Sequence, residues 1–184
     1  MAALGLAVTA FGAAVAGPFL VFVRRGRASA WLFVLVPSAL VSIAVDLAAM
    51  VAAKRVPTGC VVVAIILYVA ALGIFVGAAL ASRAHRLSFS FSPDAPERLI
   101  QSGPYRFIRH PFYTSYVLSY TAAVLASANP WTFVPLVWMG ILYARAGYEE
   151  EVKFARSSFA REYLLYRART GMFFPRVIGT YVRR

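Results

Sequence analysis

Apolar and charged positions alternate along this chain in long blocks, with uncharged runs separated by short basic stretches. Residues 1–23 carry no charge and are long enough to cross a bilayer, for which about 20 apolar residues suffice. No Lys or Arg precedes Arg24, so the run lacks the basic start of a cleaved leader and reads as a retained span. Arg24, Arg25 and Arg27 close it. A second span is predicted over 30–53, with a kink at Pro37 and with Asp46 inside it. Lys54, Arg55 and the turn Pro57-Thr58-Gly59 lead into a third span, 60–81, where Gly73 and Gly77 stand at the spacing of closely packed helices.

Residues 82–110 are mostly polar. Phe89 and Phe91 alternate with serines there, and Pro93 and Pro96 forbid a long helix. A fourth span over 111–128 is broken at Asn129-Pro130 and returns over 131–143, which makes a helical hairpin. The returning arm is short for a bilayer and is expected to run on past the membrane plane. From Arg145 to about Ala168, Phe159, Tyr163 and Tyr166 recur at helical spacing and predict an amphipathic helix. Thr170-Gly171 should cap it, and Phe173-Phe174-Pro175 should fold back onto the membrane surface or over a site.

The fold class that follows is an all-α integral membrane protein with about five transmembrane helices and a cytoplasmic C-terminal helix and tail. Residues 1–81 form a three-span unit, and 82–184 hold the loop, the hairpin 111–143 and the tail. Composition agrees: 61% of the 184 residues are hydrophobic, against roughly 45–50% in soluble domains, and the mean hydropathy is +0.70. The net charge of +12 comes in blocks between apolar spans, which argues against nucleic acid and for the anionic inner leaflet of a lipid bilayer. Arg24, Arg25, Arg27, Arg83, Arg86, Arg98, Arg106, Arg109 and the basic tail fall on one side, with Lys54 and Arg55 on the other. The positive-inside rule then places the N-terminus outside and the loop and tail in the cytoplasm. The single cysteine, Cys60, forms no disulfide within the chain, and with His85 and His110 so far apart no metal site is predicted. Asp46 is a candidate functional group because it lies within a span; an interhelical hydrogen bond or a wet position near the far interface is the plainer account.

The candidate chemistry is concentrated in Gly103-Pro104-Tyr105-Arg106-Phe107-Ile108-Arg109-His110-Pro111-Phe112-Tyr113. Titratable groups packed this closely at a membrane edge are costly unless something binds them. Pro111 suits the first position of a helix, so the stretch reads as a polar linker delivering Arg109, His110 and Tyr113 to a helix mouth. A second cluster holds Arg145, Tyr148, Glu149, Glu150 and Glu151, with Arg145 and Glu149 one helical turn apart. A carboxylate there can bond the ribose or ammonium of an adenosylated cofactor, and an arginine can hold a carboxylate by two parallel bonds. The plainer account is a solvated face whose ion pair contributes under about 1 kcal/mol.

Ser102-Gly103-Pro104-Tyr105 followed by Arg109-His110-Pro111-Phe112-Tyr113 resembles the signature of the isoprenylcysteine carboxyl methyltransferase family, to which phospholipid N-methyltransferases are related. The likeness runs over about 97–176. It implies S-adenosyl-L-methionine as methyl donor and a lipophilic or prenylated acceptor. By position, Arg145 resembles the catalytic, substrate-side arginine, and Glu149 or Glu150 the acid that binds the cofactor. Tyr105, His110 and Tyr113 resemble further cofactor contacts, with the backbone near Leu99 and Ile100. Phe159, Tyr163, Tyr166 and Pro175 resemble the closing segment. Two departures stand out: Ser115 replaces a glycine, and Ser157-Ser158 adds a residue that leaves the choice among Glu149, Glu150 and Glu151 open.

The implied reaction is an in-line methyl transfer, in which positioning does most of what is required. A carboxylate acceptor is already ionised at neutral pH and needs no general base, so His110 reads as a cofactor ligand rather than a proton shuttle. Carboxyl methylation of an isoprenylcysteine-like molecule is the first expectation, and N-methylation of a phospholipid or other lipid amine the alternative. Membrane sterol reductases share an Arg-His-Pro…Tyr element and use NADPH, although they are much longer. A scaffold that binds neither cofactor is the non-enzymatic alternative. No glycine-rich dinucleotide fingerprint follows a strand, which excludes a soluble Rossmann methyltransferase.

Overall fold

The computed structural model describes residues 32–83 and 98–176. The expected first span, His85, Phe89, Phe91, Pro93 and Pro96, and the end of the tail lie outside the described residues. The rest is helical: α1 (Leu32–Ala52), α2 (Thr58–Arg83), α3 (Pro111–Ser127), α4 (Phe133–Ala155) and α5 (Ala160–Arg169), with 3-10 turns at Gly103–Arg106 and Pro130–Thr132.

Two of these helices, over Phe33–Ala52 and Thr58–Ser82, are long and apolar enough to cross a membrane. Only 28% and 11% of their apolar windows are buried inside the protein. Val41, Val51, Ile66, Val69 and Leu80 are each more than half exposed. Leaving such side chains in water forfeits roughly 1.5–3 kcal/mol apiece, so these faces are built for lipid. α1 runs unbroken through Pro37. Asp46 is buried in it, within electrostatic reach of Tyr68 and Tyr120; its Oδ1 and the Tyr68 hydroxyl have no hydrogen-bond partner among the described residues.

α3 is the hub, packing against α1, α2 and α4. Ala122, Ala123 and Ala126 bring it close to Ala64 and Tyr68 of α2 and Met50 of α1. Tyr113, Tyr116 and Tyr120 pack with Leu35, Met139, Leu142 and Tyr143 between α1 and α4. Pro111 stands at the first helical position, where its missing N–H leaves no bond unmade. The helix ends with Ala128 in the left-handed region at φ 47°. Asn129 then caps the turn, its side chain accepting the Trp131 N–H at 3.1 Å.

Two expectations need correction. The returning arm and the helix predicted from Arg145 are one helix, because nothing between Leu142 and Ala155 breaks it. The break comes later, where the Ser157 hydroxyl donates to the Phe154 carbonyl at 2.8 Å and accepts the Phe159 N–H at 3.2 Å. The 145–168 amphipathic helix is therefore the end of α4 plus the short α5. The glycines of α2 also divide: a Cβ at Gly73 would meet nothing within 4 Å, whereas one at Gly77 would fall 2.9 Å from the Pro104 ring. Gly77 thus makes room for the motif turn rather than for a second helix.

α5 ends at Thr170, which is extended, and the chain crosses back over the motif. Arg109 N–H donates to Gly171 O at 2.9 Å, His110 N–H to Met172 O at 3.1 Å, and Gly171 N–H to Phe107 O at 3.2 Å. Gly171 is required because a Cβ there would collide with the Phe174 carbonyl. Gly171→Ala should lower the thermal midpoint of the detergent-solubilised protein by the equivalent of about 1–3 kcal/mol. Gly140→Ala, whose Cβ meets nothing, should be neutral or slightly stabilising.

Candidate functional site

His110 caps the start of α3, so its backbone belongs to the turn while its ring faces the bundle. Its carbonyl accepts the Thr114 N–H at 3.0 Å and the Thr114 hydroxyl at 3.1 Å. That hydroxyl also reaches the Phe173 carbonyl at 2.9 Å, tying helix start and tail together. The imidazole is 8% exposed. It stacks on Tyr113 with centroids 5.6 Å apart and lies 5.9 Å from the Phe173 ring.

α4 supplies the other half. Met139, Leu142, Tyr143, Ala146 and Gly147 form its buried stripe. Continued by one turn, the stripe brings Glu150 and Glu151 onto the same face. Gly147 allows the approach, since a Cβ there would sit 3.4 Å from the His110 Cδ2 and Nε2 and 2.9 Å from Met172 Cε. Glu150 Oε1 accepts the Tyr113 hydroxyl at 2.5 Å, and its Oε2 lies 3.4 Å from His110 Nδ1. Glu151 Oε1 accepts from Arg109 Nε at 2.8 Å and lies 3.4 Å from His110 Nε2, while Arg167 Nε is 3.5 Å from its Oε2. The Arg109 guanidinium also donates to the Arg167 and Thr170 carbonyls.

Burial alone would favour a neutral imidazole, but the contacts with Glu150 and Glu151 outweigh it and hold His110 above its usual 6.5. Burial likewise opposes charge on Glu151, yet the nearby His110 ring and the bond from Arg109 bring it down from 4.5 to about 2. The imidazole therefore lies between two carboxylates that favour its protonated form. His110 Nε2 is within ion-pair range of Glu151 but not aligned for a hydrogen bond; it is a buried donor with no hydrogen-bond partner among the described residues. Such an atom is one that a ligand can satisfy.

Of the residues singled out from sequence, Tyr113, His110 and Glu150 converge. Tyr105 lies alongside: burial pushes its phenol up to about 12, Ser82 Oγ is 3.3 Å from its hydroxyl, and its carbonyl accepts the Tyr166 hydroxyl at 2.7 Å. Ile100 is buried and Leu99 half-buried, next to Gln101, which bonds Glu162 and Arg169 of α5. Arg145 and Glu149 instead pair with each other at 3.2 Å, with side chains 66% and 45% exposed. The sequence reading missed Glu151 as the partner of Arg109, and Arg167 and Gly147 altogether. The signal for Glu151 was present: the apolar stripe of α4, extended one turn, selects Glu150 and Glu151 over Glu149.

A family model described as phospholipid methyltransferase matches residues 60–162. That span begins in α2 and takes in the motif turn, the α3–α4 hairpin and the start of α5. No curated protein and no solved structure matches the chain.

The charge cluster makes stability depend on pH. The raised His110 contributes stability that is complete below 6.5 and lost as pH rises through its folded value. The depressed Glu151 contributes above 4.5 and loses its part as pH falls toward about 2. Thermal unfolding in detergent should therefore show declining stability on both sides of that window. His110→Gln should flatten the alkaline limb and Glu151→Gln the acid limb. Arg109→Ala leaves Glu151 without its nearest cation and should cost on the order of 3 kcal/mol, the low end for a broken buried pair because Arg167 remains beside it.

Proposed function

The chain belongs to the phospholipid methyltransferase family, and from that premise we propose that it methylates the nitrogen of a membrane phospholipid amine with S-adenosylmethionine. The observation that carries the reading is the convergence of His110 with Glu150 and Glu151, from positions 40 and 41 residues apart, in a buried cluster with an unsatisfied donor. The asymmetry of basic residues supports a multi-pass protein with this cluster on the cytoplasmic side, where a soluble donor arrives while the lipid enters from the bilayer.

The residues fit the donor. S-adenosylmethionine supplies, when bound, an electrophilic methyl group on a sulfonium, and it carries an ammonium as a second cation. Glu150 and Glu151 would attract those charges, the Phe173 ring would offer a face to a cation, and the Nε2–H of His110 would serve an acceptor on the ligand. Tyr105 and the segment at Leu99 and Ile100 would complete the binding surface.

A lipid amine is ordinarily protonated, with a pKa near that of lysine at about 10.4, and must lose a proton before it can attack. Despite its burial, the contacts of His110 with Glu150 and Glu151 favour its protonated form, which counts against it as the acceptor of that proton. Glu151, at about 2, is a weak base locked to Arg109. Glu150 is the acceptor we assign, at Oε2, which the Tyr113 hydroxyl does not engage and which lies 3.4 Å from His110 Nδ1. Carboxyl methylation leaned on Arg145; its exposed pairing with Glu149 lends that reading no support.

Isothermal titration of the solubilised protein should give binding of S-adenosylmethionine and none of NADPH. Glu150→Gln should weaken donor binding about tenfold or more, as for loss of a charged hydrogen-bond partner, and should lower turnover of a lipid amine further still. Binding of NADPH in place of S-adenosylmethionine would overturn the proposal.

A further inference from the structure

A cleft of about 490 Å³ opens beside the imidazole cluster, lined in part by Arg109, Leu164, Arg167, Thr170, Met172 and Arg176. Three of those side chains are guanidinium cations, and among the described residues no carboxylate lines the cleft. Glu151 stands behind it and engages Arg109 and Arg167, each through Nε. Arg176 is oriented by bonds from its Nη1 to the Arg167 and Ala168 carbonyls at the end of α5. A guanidinium carries five donors. Among the described residues, Arg167 uses Nε alone, Arg109 uses Nε and Nη1, and Arg176 uses Nη1. Each therefore keeps donors over, and of the three, Arg109 and Arg167 share one carboxylate while Arg176 bonds only backbone carbonyls among the described residues. Leu164, 57% exposed, and Met172 give the same cleft an apolar wall. Leu165 and Phe174 nearby are 66% and 71% exposed, as suits elements lying at the boundary between headgroups and acyl chains.

We propose that this cleft binds the phosphate of a phospholipid headgroup, so that the methyl acceptor is selected by its phosphate as well as its amine; the second half rests on the function proposed above. The choice of phosphate follows from the donor set. A carboxylate is satisfied by the two parallel bonds of one guanidinium, whereas three guanidiniums around one space suit a tetrahedral oxyanion with more acceptor sites. The apolar wall suits the glycerol and the first methylenes of the chains, which free phosphate lacks. Arg109 and Arg167 each touch both the cleft and Glu151, so a headgroup held there by its phosphate lies next to the acid pair.

The test titrates the full chain in detergent with three probes: a short-chain phosphatidylethanolamine, an alkylamine of matched length without phosphate, and inorganic phosphate. The phosphatidylethanolamine should bind the most tightly. Arg167→Gln combined with Arg176→Gln should weaken it by about tenfold or more and leave the alkylamine unchanged. Leu164→Glu places a carboxylate in the cleft at an exposed position and should abolish lipid binding without unfolding the protein. Equal affinity for the lipid in the double variant, or in Leu164→Glu, would overturn the proposal. Inorganic phosphate binding as tightly as the lipid would overturn the assignment to a headgroup. S-adenosylmethionine is titrated in parallel. A wild-type protein that ignores the donor but binds the lipid through these arginines defeats the function proposed above and leaves the phosphate site standing.

Discussion

Charge buried without a partner is among the most expensive things a fold can contain, and at one end of the bundle this protein sets four ionisable groups against one another. His110, Glu150, Glu151 and Arg109 come from two chain segments about 40 residues apart and meet at one end of the bundle. Two carboxylates face one imidazole and one guanidinium, with Arg167 at the margin. The cluster forms only if α3 starts where it does and α4 runs on to Ala155 without a break. Pro111 fixes the first condition, and the absence of any proline in α4 after Pro135 permits the second.

The rest of the described structure serves that meeting. α2 lies along α3 and, through Gly77, leaves room for the Pro104 turn that aims the motif. The tail after α5 bonds back onto the backbone of 107–110 and carries Phe173 over the imidazole. α5 itself is anchored by Tyr163 and Tyr166, buried while Leu164 and Leu165 on its other side stay exposed. The imidazole cluster and the arginine cleft thus adjoin, joined by Arg109 and Arg167.

Much of this was legible in the sequence because it rests on patterns that act locally. Apolar length predicted spans over 30–53 and 60–81, where apolar helices run over Phe33–Ala52 and Thr58–Ser82; proline chemistry predicted the start of α3, and Asn129-Pro130 predicted the hairpin turn. The motif around His110 and the acids after Arg145 were recognised as belonging together. Which acid turns inward was not, because three consecutive glutamates look alike until the buried stripe of α4 sets their phase. Arg145 drew attention through its spacing from Glu149, and that spacing produced an exposed pair. The helix break at Ser157 was hidden for another reason: a serine hydroxyl competes with the backbone only where packing lets it. Arg167 entered through tertiary contact alone, which no local pattern announces.

The central claim is that the imidazole at the mouth of α3 and the acid pair on α4 act as one site for one ligand. A double-mutant cycle of His110→Ala and Glu150→Gln, read as S-adenosylmethionine affinity by calorimetry, tests it most directly. The account predicts a coupling energy between the two positions of roughly 0.5–3 kcal/mol, as for residues sharing one network. Strictly additive losses, or affinity unmoved by either change, would contradict it.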